Sequence, residues 1–345
     1  MKYYKLLYIF ICSLALWAMS SCKPSPDDYQ SEPILLFEKG TYPQVIKDGD
    51  TYYYTMPDNR RGHISLYSST SPDSLGHSSP VTVWNTDDTG FQNIWSPELH
   101  KIGGKWYIYF EADDGNTDNH HIYVLENTTD NPLNQQWELR GPVVVNEEWN
   151  YGIHPSVFIV NGRLYMVWSG WENRRMETET QCIFIAEMSN PWTLKSERVL
   201  LSRPEYEWER QWINPDGSCS AYPIFVNENP EGYVSPDGKN VIINYSASGI
   251  WTVYSSLGML SASTTSNLLD ASSWKKSSEP LFRTGEDADY WGVSNISLVP
   301  SPDGKETLML YQGKHYNDAG YIDNSVFLKK IGWEESLPDF DGRRK

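Results

Sequence analysis

The chain has 345 residues and carries 45 acidic against 28 basic side chains, a formal charge of −17. It has no basic run, so it lacks the electrostatic footprint that a nucleic-acid backbone or an anionic lipid surface requires. Aromatic residues make up 14%, with 15 Trp and 23 Tyr, far too many for a disordered acidic chain. The length admits two domains, or one large all-β propeller or barrel.

Residues 1–21 read as a secretory address. Lys2 and Lys5 give a positive start, Leu6 to Met19 an apolar stretch too short for a comfortable membrane span, and Ser20 and Ser21 a small-residue cleavage site. Cys22 follows directly, as in a bacterial lipobox. The expectation is an exported lipoprotein, anchored to a membrane only through lipid on Cys22, at the periplasmic or the cell-surface side. Residues 22–32, rich in Pro, Ser and Asp, read as a flexible tether. Of the remaining cysteines, Cys12 leaves with the address, and Cys182 and Cys219 could pair in an oxidising compartment or stay as buried thiols.

From residue 33 onward one pattern recurs: a Pro, an apolar strand, a Gly-containing turn and an aromatic strand. Its copies are YPQVIKDGDTYYYTM at Pro43, SPELHKIGGKWYIYF at Pro97, HPSVFIVNGRLYMVW at Pro155 and a longer YPIFVNENPEGYVSPDGKNVIINYS at Pro223. A fifth copy, NISLVPSPDGKETLMLYQ, starts near Asn295 without the Pro. Gly, Asn-Gly and Asp-Gly turns between such runs are strong hairpin signals. Further strands lie between the copies (HISLYSS, HIYVLEN, QCIFIAEMS, LGMLSAS), and no long helical periodicity appears. Repeats of roughly 50–70 residues with about four strands match propeller blades. The expected fold is all-β, a single five-bladed β-propeller over residues 33–345. Residues beside each strand-opening Pro should then converge on one axial pocket: Tyr42, Ser96 with Glu98, His154, Tyr222 or Ala221, and Ser294 or Asn295.

The run NIWSPELHKIGGKWYIYFEA (93–112) resembles the second-blade signature of glycoside hydrolase family 43, in the branch of exo-acting α-L-arabinofuranosidases. MVWSGW (166–171), IFIAEMSNPWTLKSERVLLSRPEYEWE (183–209), NYSASGIWT (244–252) and LGML (257–260) follow in that branch's order. The resemblance implies hydrolysis of O-glycosyl bonds by inversion, with three axial acids: one carboxylate activates water, one carboxylic acid protonates the leaving oxygen, and a third raises the acid's pKa. The family's base, an Asp before the first Pro, falls at Tyr42, and its pKa-modulating Asp falls at His154. Its acid, the Glu of an Asn-Glu-Gly-Pro run, falls at Pro215 with Asp216 beside it when WIN (212–214) is matched, or at Ala221 when Pro223 is matched. Its axial His falls near Ser294. The usual three acids are therefore expected to be missing from their places.

The expected catalytic set is His154, Asp216, Glu98 and Tyr42. His154 could donate a proton or bind a sugar hydroxyl. Tyr42 could bind sugar or act as a nucleophile. Glu98 could take the proton of Tyr42 or be a hydrogen-bonded strand residue, and Asp216 a displaced acid or part of a Pro-Asp-Gly turn. Trp95, Trp171 and Trp251 are expected to stack on sugar, and Trp168, Trp212 and Trp291 are further candidates, although a propeller also buries many aromatics between blades. Glu111, Asp113, Asp114, His120 and His121 read as a solvated acidic loop. No cofactor and no metal are expected. The expected partner is a carbohydrate, with no nucleic acid, and the chain should be a monomer. Two functions fit: a glycosidase acting on arabinofuranose-containing side chains with an atypical catalytic set, or a catalytically silent surface propeller that binds a glycan.

Overall fold

The computed structural model describes residues 33–58, 62–148, 150–173, 179–213, 219–282, 291–315 and 323–340. Cys22 and Asp216 lie outside them. Strand β1 (Ile34–Phe37) is followed by an antiparallel meander of β2 (Gln44–Asp48), β3 (Thr51–Asp58), β4 (His63–Ser69) and β5 (Val81–Asn85). A second meander comprises β6 (Gln92–Ile102), β7 (Lys105–Asp113), β8 (His121–Asn127) and β9 (Glu138–Val143). Next come β10 (Ile153–Val160), β11 (Arg163–Gly170) and β12 (Glu179–Asn190), with short β13 (Thr193–Leu194) and β14 (Val199–Ser202) paired to β12. Strand β15 (Arg210–Ile213) pairs with the long β16 (Cys219–Val234), which leads into β17 (Asn240–Ala247), β18 (Ser256–Ser263) and β19 (Lys275–Lys276). The final sheet holds β20 (Trp291–Pro300), β21 (Thr307–Lys314), β22 (Ser325–Glu334) and β23 (Leu337–Asp339), and β1 joins it by pairing with β22.

The expected hairpins form where the sequence copies lie. The Asn161-Gly162 turn between β10 and β11 has φ of 50° and 77°, the paired left-handed geometry of a tight hairpin, and Asn and Gly tolerate it best. The second strand of each hairpin runs apolar on both faces because it is sandwiched between neighbouring sheets. In β7, Trp106, Ile108 and Phe110 pack with Ile64 and Leu66 of the first meander. Tyr107 and Tyr109 turn the other way, against Met166, Trp168 and Phe184. Likewise Val167 and Ile183 pack on Ile243 and Tyr245, and Leu257 packs on Met309 and Tyr311. Tyr52 and Tyr54 pack on Leu310 and Val326, so the first meander shares its core with the last sheet. Fully burying an apolar side chain of this size stabilises by about 1.5–3 kcal/mol, so these shared layers dominate cohesion.

The fourth copy departs from the expectation. Tyr222 and Pro223 lie in the first part of β16, where Cys219–Phe225 pairs with β15 and Ile224–Val226 runs parallel to β12. Pairing with β17 begins only at Asn227. The hairpin therefore opens seven residues later than Pro223, at Pro230. Cys182 is a free, buried thiol, which burial pushes up to about 12.

Candidate active site

A single device aims side chains at the site. Tyr42, Ser96, His154, Asn229 and Asn295 all adopt positive φ, between 30° and 52°. The first four directly precede Pro43, Pro97, Pro155 and Pro230, whose rings disfavour right-handed helical geometry in the residue before them. Register shifts mark bulges at Trp95/Glu98, Ile153/Ser156, Glu228/Glu231 and Ser294/Ile296. A bulge bends its strand and re-aims the side chain, at a backbone cost of about 1–3 kcal/mol for a non-glycine residue with positive φ. Neighbouring strands hold the kinks in place. Gln312 accepts from Tyr42 N at 3.3 Å, Glu111 from His154 N at 3.1 Å, Ser169 from Asn229 N at 3.1 Å and Ser246 from Asn295 N at 3.0 Å.

This device corrects the fourth alignment. The residue before the fourth kink is Glu228, in the run Asn227-Glu228-Asn229-Pro230, which matches Asn-Glu-Gly-Pro with Asn in place of Gly. Asn is the side chain that best replaces Gly at positive φ. A carboxylate therefore occupies the position that WIN or Pro223 matching assigned to Pro215 or Ala221.

Tyr42, His154 and Glu228 line a pocket of about 160 Å³ whose wall includes Trp95, Trp171, Trp251, Tyr151, Gln181 and Asp118. Three of the four expected catalytic positions fall within the described residues, and the pocket unites two of them, Tyr42 and His154, whose rings lie 5.5 Å apart. All three expected stacking tryptophans line it. Trp95 stacks on His120 at 4.0 Å, and Trp171 stacks on Tyr151 at 3.7 Å with 7° between planes. Trp168, by contrast, is wholly in the core.

Glu228 is 1% exposed and accepts from the backbone N–H of Ile250 at 2.8 Å. Its Oε2 is 3.9 Å from Nδ1 of His154, and Oε1 of Glu111 is 3.6 Å from the opposite ring nitrogen, Nε2. Burial, with the nearby His120, holds His154 well below its ordinary range, so its imidazole is neutral at physiological pH. Burial pushes the Glu111 carboxyl well up, against donation from Ser96 Oγ at 2.5 Å and from His154 N.

Glu111 and Asp113 are buried, which corrects the reading of their segment as a solvated loop. The cause is strand parity: Glu111 continues the Tyr107–Tyr109 face of β7, which is turned toward the third meander and His154. His120 is fully buried as well, 3.3 Å from Asp113, with its other ring nitrogen on the Asn93 carbonyl at 2.9 Å.

Glu98 does not line this pocket. It lines a smaller second cavity with Gln44, Ser96, Glu231 and Asn295, and Tyr42 lines both cavities. There its Oε2 meets His100 at 3.1 Å, and Ser156 donates to Glu231 at 3.1 Å. Burial pushes Glu98 well up and, with the charge of Glu98 beside it, Glu231 to about 8, while burial lowers His100 to about 4.

An aromatic-walled pocket lined also by a carboxyl group and an imidazole, set among kinked strand openings, is the site of a carbohydrate-handling protein. The family model of glycosyl hydrolases family 43 matches residues 32–338, and the chain belongs to that family of glycosidases. An extracellular exo-α-(1→5)-L-arabinofuranosidase of Streptomyces avermitilis is 33% identical, covering 97% of this chain and 69% of its own length. Its namesake from Streptomyces chartreusis is 30% identical over 88% of each chain. Among solved structures, an α-L-arabinofuranosidase from Lactobacillus brevis superposes with a TM-score of 0.78 at 28% identity, covering 91% of this chain and 96% of its own.

Proposed function

We propose that the chain is an exo-acting α-L-arabinofuranosidase trimming arabinofuranose side chains of polysaccharides, with Glu228 as its proton donor. The observation that carries this is the Asn227-Glu228-Asn229-Pro230 kink, which aims a buried carboxyl group into a pocket walled by Trp95, Trp171 and Trp251. A terminal sugar stacks on the indole faces, and Glu228 protonates the glycosidic oxygen as its bond to the anomeric carbon breaks. Asp118 is the other carboxylate on the pocket wall among the described residues. It takes a proton from the water that adds to the anomeric carbon, and the hydroxyl of Tyr42 orients that water. Proton donation and water activation thus fall to two carboxyl groups, the division of labour that single-displacement hydrolysis uses. The relatives' arabinofuranosidase names support the choice of sugar.

The scaffold proposed is a five-bladed propeller over residues 33–345, closed by β1 on β22, with core layers between successive meanders and between last and first. Residues 1–21 are proposed as a lipoprotein signal and 22–32 as the tether from a lipidated Cys22. The relatives described as extracellular support export.

One observation favours a second reading. Tyr42 and His154 replace two carboxylates of the family's scheme, and an aromatic pocket without them suits a silent glycan-binding propeller. Incubation with arabinofuranosides and arabinan oligosaccharides, alongside calorimetry, separates the two. Released arabinose supports the hydrolase, and binding without product across the panel supports the silent binder.

A further inference from the structure

We propose that Glu111 is a positioning residue that reloads Glu228 with a proton through the imidazole of His154. This rests on the reading of Glu228 as proton donor.

Three side chains lie in file, Glu228 and His154 in the pocket lining and Glu111 behind them. Glu111 is 3.6 Å from Nε2 of His154, and Glu228 is 3.9 Å from Nδ1 on the opposite edge of the ring. Glu111 is 0%, His154 3% and Glu228 1% exposed. Among the described residues, neither ring nitrogen of His154 has a hydrogen-bond partner, and neither has Oε2 of Glu111. Leaving such atoms unpaired in the interior costs about 1–3 kcal/mol each, so a site that keeps three of them together has a use for them. The separations exceed hydrogen-bond length, as catalytic contacts often do before substrate tightens them.

The neighbouring kinks show what this position needs structurally. Gln312, Ser169 and Ser246 stand on β21, β11 and β17 as Glu111 stands on β7, each accepting the kinked N–H of the next strand opening. A neutral Ser or Gln does that work at three places. Of these four kinks, only the one at His154 has a carboxyl group as acceptor, and only there does the kinked residue carry an imidazole.

The proton movement balances. After Glu228 has given its proton to the leaving oxygen, it is a carboxylate facing Nδ1–H. That proton passes to Glu228, the carboxyl proton of Glu111 passes to Nε2, and the ring stays neutral. Glu111 is left as a carboxylate held by Ser96 Oγ and His154 N. The ring now carries its proton on Nε2, so recovery runs the other way: a solvent proton enters at Nδ1 from the pocket, which His154 lines, and the Nε2 proton returns to Glu111, restoring both groups. The other groups facing this file are His120 and Tyr42 toward His154 and Glu98 toward Glu111. Burial favours the protonated carboxyl at 111 and the neutral ring at 154, the states that a proton reserve and its carrier need.

The test is Glu111→Gln in the full chain, read two ways. The amide oxygen preserves the bond to His154 N, as Gln312 does for Tyr42, so the fold should hold by circular dichroism. The first readout is the pH profile of kcat on an arabinofuranoside whose leaving group needs protonation, and the second is the 15N shifts of the His154 ring. Expected are a fall in kcat of about tenfold or more, steepest on the alkaline side, and locking of His154 as the Nδ1–H tautomer. An unchanged profile with unchanged ring shifts overturns the relay. The ring shifts need no turnover. If the wild type hydrolyses nothing while both Glu111→Gln and Glu228→Gln move the His154 shifts, the coupling along the file stands and the hydrolase reading falls.

Discussion

Glu228 Oε2 and His154 Nδ1 stand 3.9 Å apart in the lining of the pocket, one from the fourth strand opening and one from the third. Where the family pattern sets an acid beside an acid, this chain sets an acid beside a neutral imidazole. Restoring the carboxylate with His154→Asp puts a like charge next to Glu228, which favours retention of its proton. The expected result is an alkaline limb of the kcat/KM profile moved to higher pH. The profile of this single variant against wild type checks it.

The indole walls should contribute binding more than chemistry. Trp251→Ala removes a flat face from the pocket, and aromatic packing of this kind is worth about 0.5–1.5 kcal/mol. The expected outcome is a rise in KM or Kd of up to about tenfold with kcat little changed. Calorimetry with an arabinan oligosaccharide gives the same number without turnover.

The second cavity predicts a pH-dependent stability. Burial and the charge of Glu98 raise Glu231 to about 8 in the folded state, so folded protein holds this proton more tightly than unfolded protein does. The unfolded value is about 4.3. Stability from this group is complete below that value and is lost as pH rises toward about 8. Glu231→Gln keeps an acceptor for Ser156 and removes the titration. Its Tm should fall less than that of the wild type between pH 5 and pH 8, a difference of a few degrees by calorimetric scan.

Gly232 joins the third and fourth hairpins. A Cβ there would lie 2.4 Å from Cδ1 of Phe158, a ring buried in the adjoining core. Gly232→Ala should destabilise by about 1–3 kcal/mol through overpacking. Because the residue follows Glu231 on the strand that carries Glu228, activity should fall with stability. Denaturant melts and rates measured together check both.

The hairpins were legible because β-turn chemistry and strand parity are local. The tryptophans that line the pocket were legible because they lie near strand openings or in the loops beside them. The fourth opening was obscured by Tyr222-Pro223, which imitates a strand start while belonging to the part of β16 that pairs with β15 and β12. That error hid Glu228, although Asn227-Glu228-Asn229-Pro230 differs from the family run only by Asn for Gly, the exchange that positive φ tolerates best. Glu111 stayed hidden for another reason. It sits on the second strand of its hairpin, opposite Trp95, and only tertiary packing turns that face toward His154. A lone Glu within WYIYFEAD, otherwise apolar up to its last residue, was the available signal.

The most direct measurement compares wild type with Glu228→Gln on two arabinofuranosides, one with an alkyl leaving group and one with an activated aryl leaving group that departs without protonation. If Glu228 is the proton donor, the variant loses about 10²–10⁴-fold on the alkyl substrate and far less on the aryl one, with the fold intact. Equal losses on both substrates, or wild-type rates in the variant, would contradict that role.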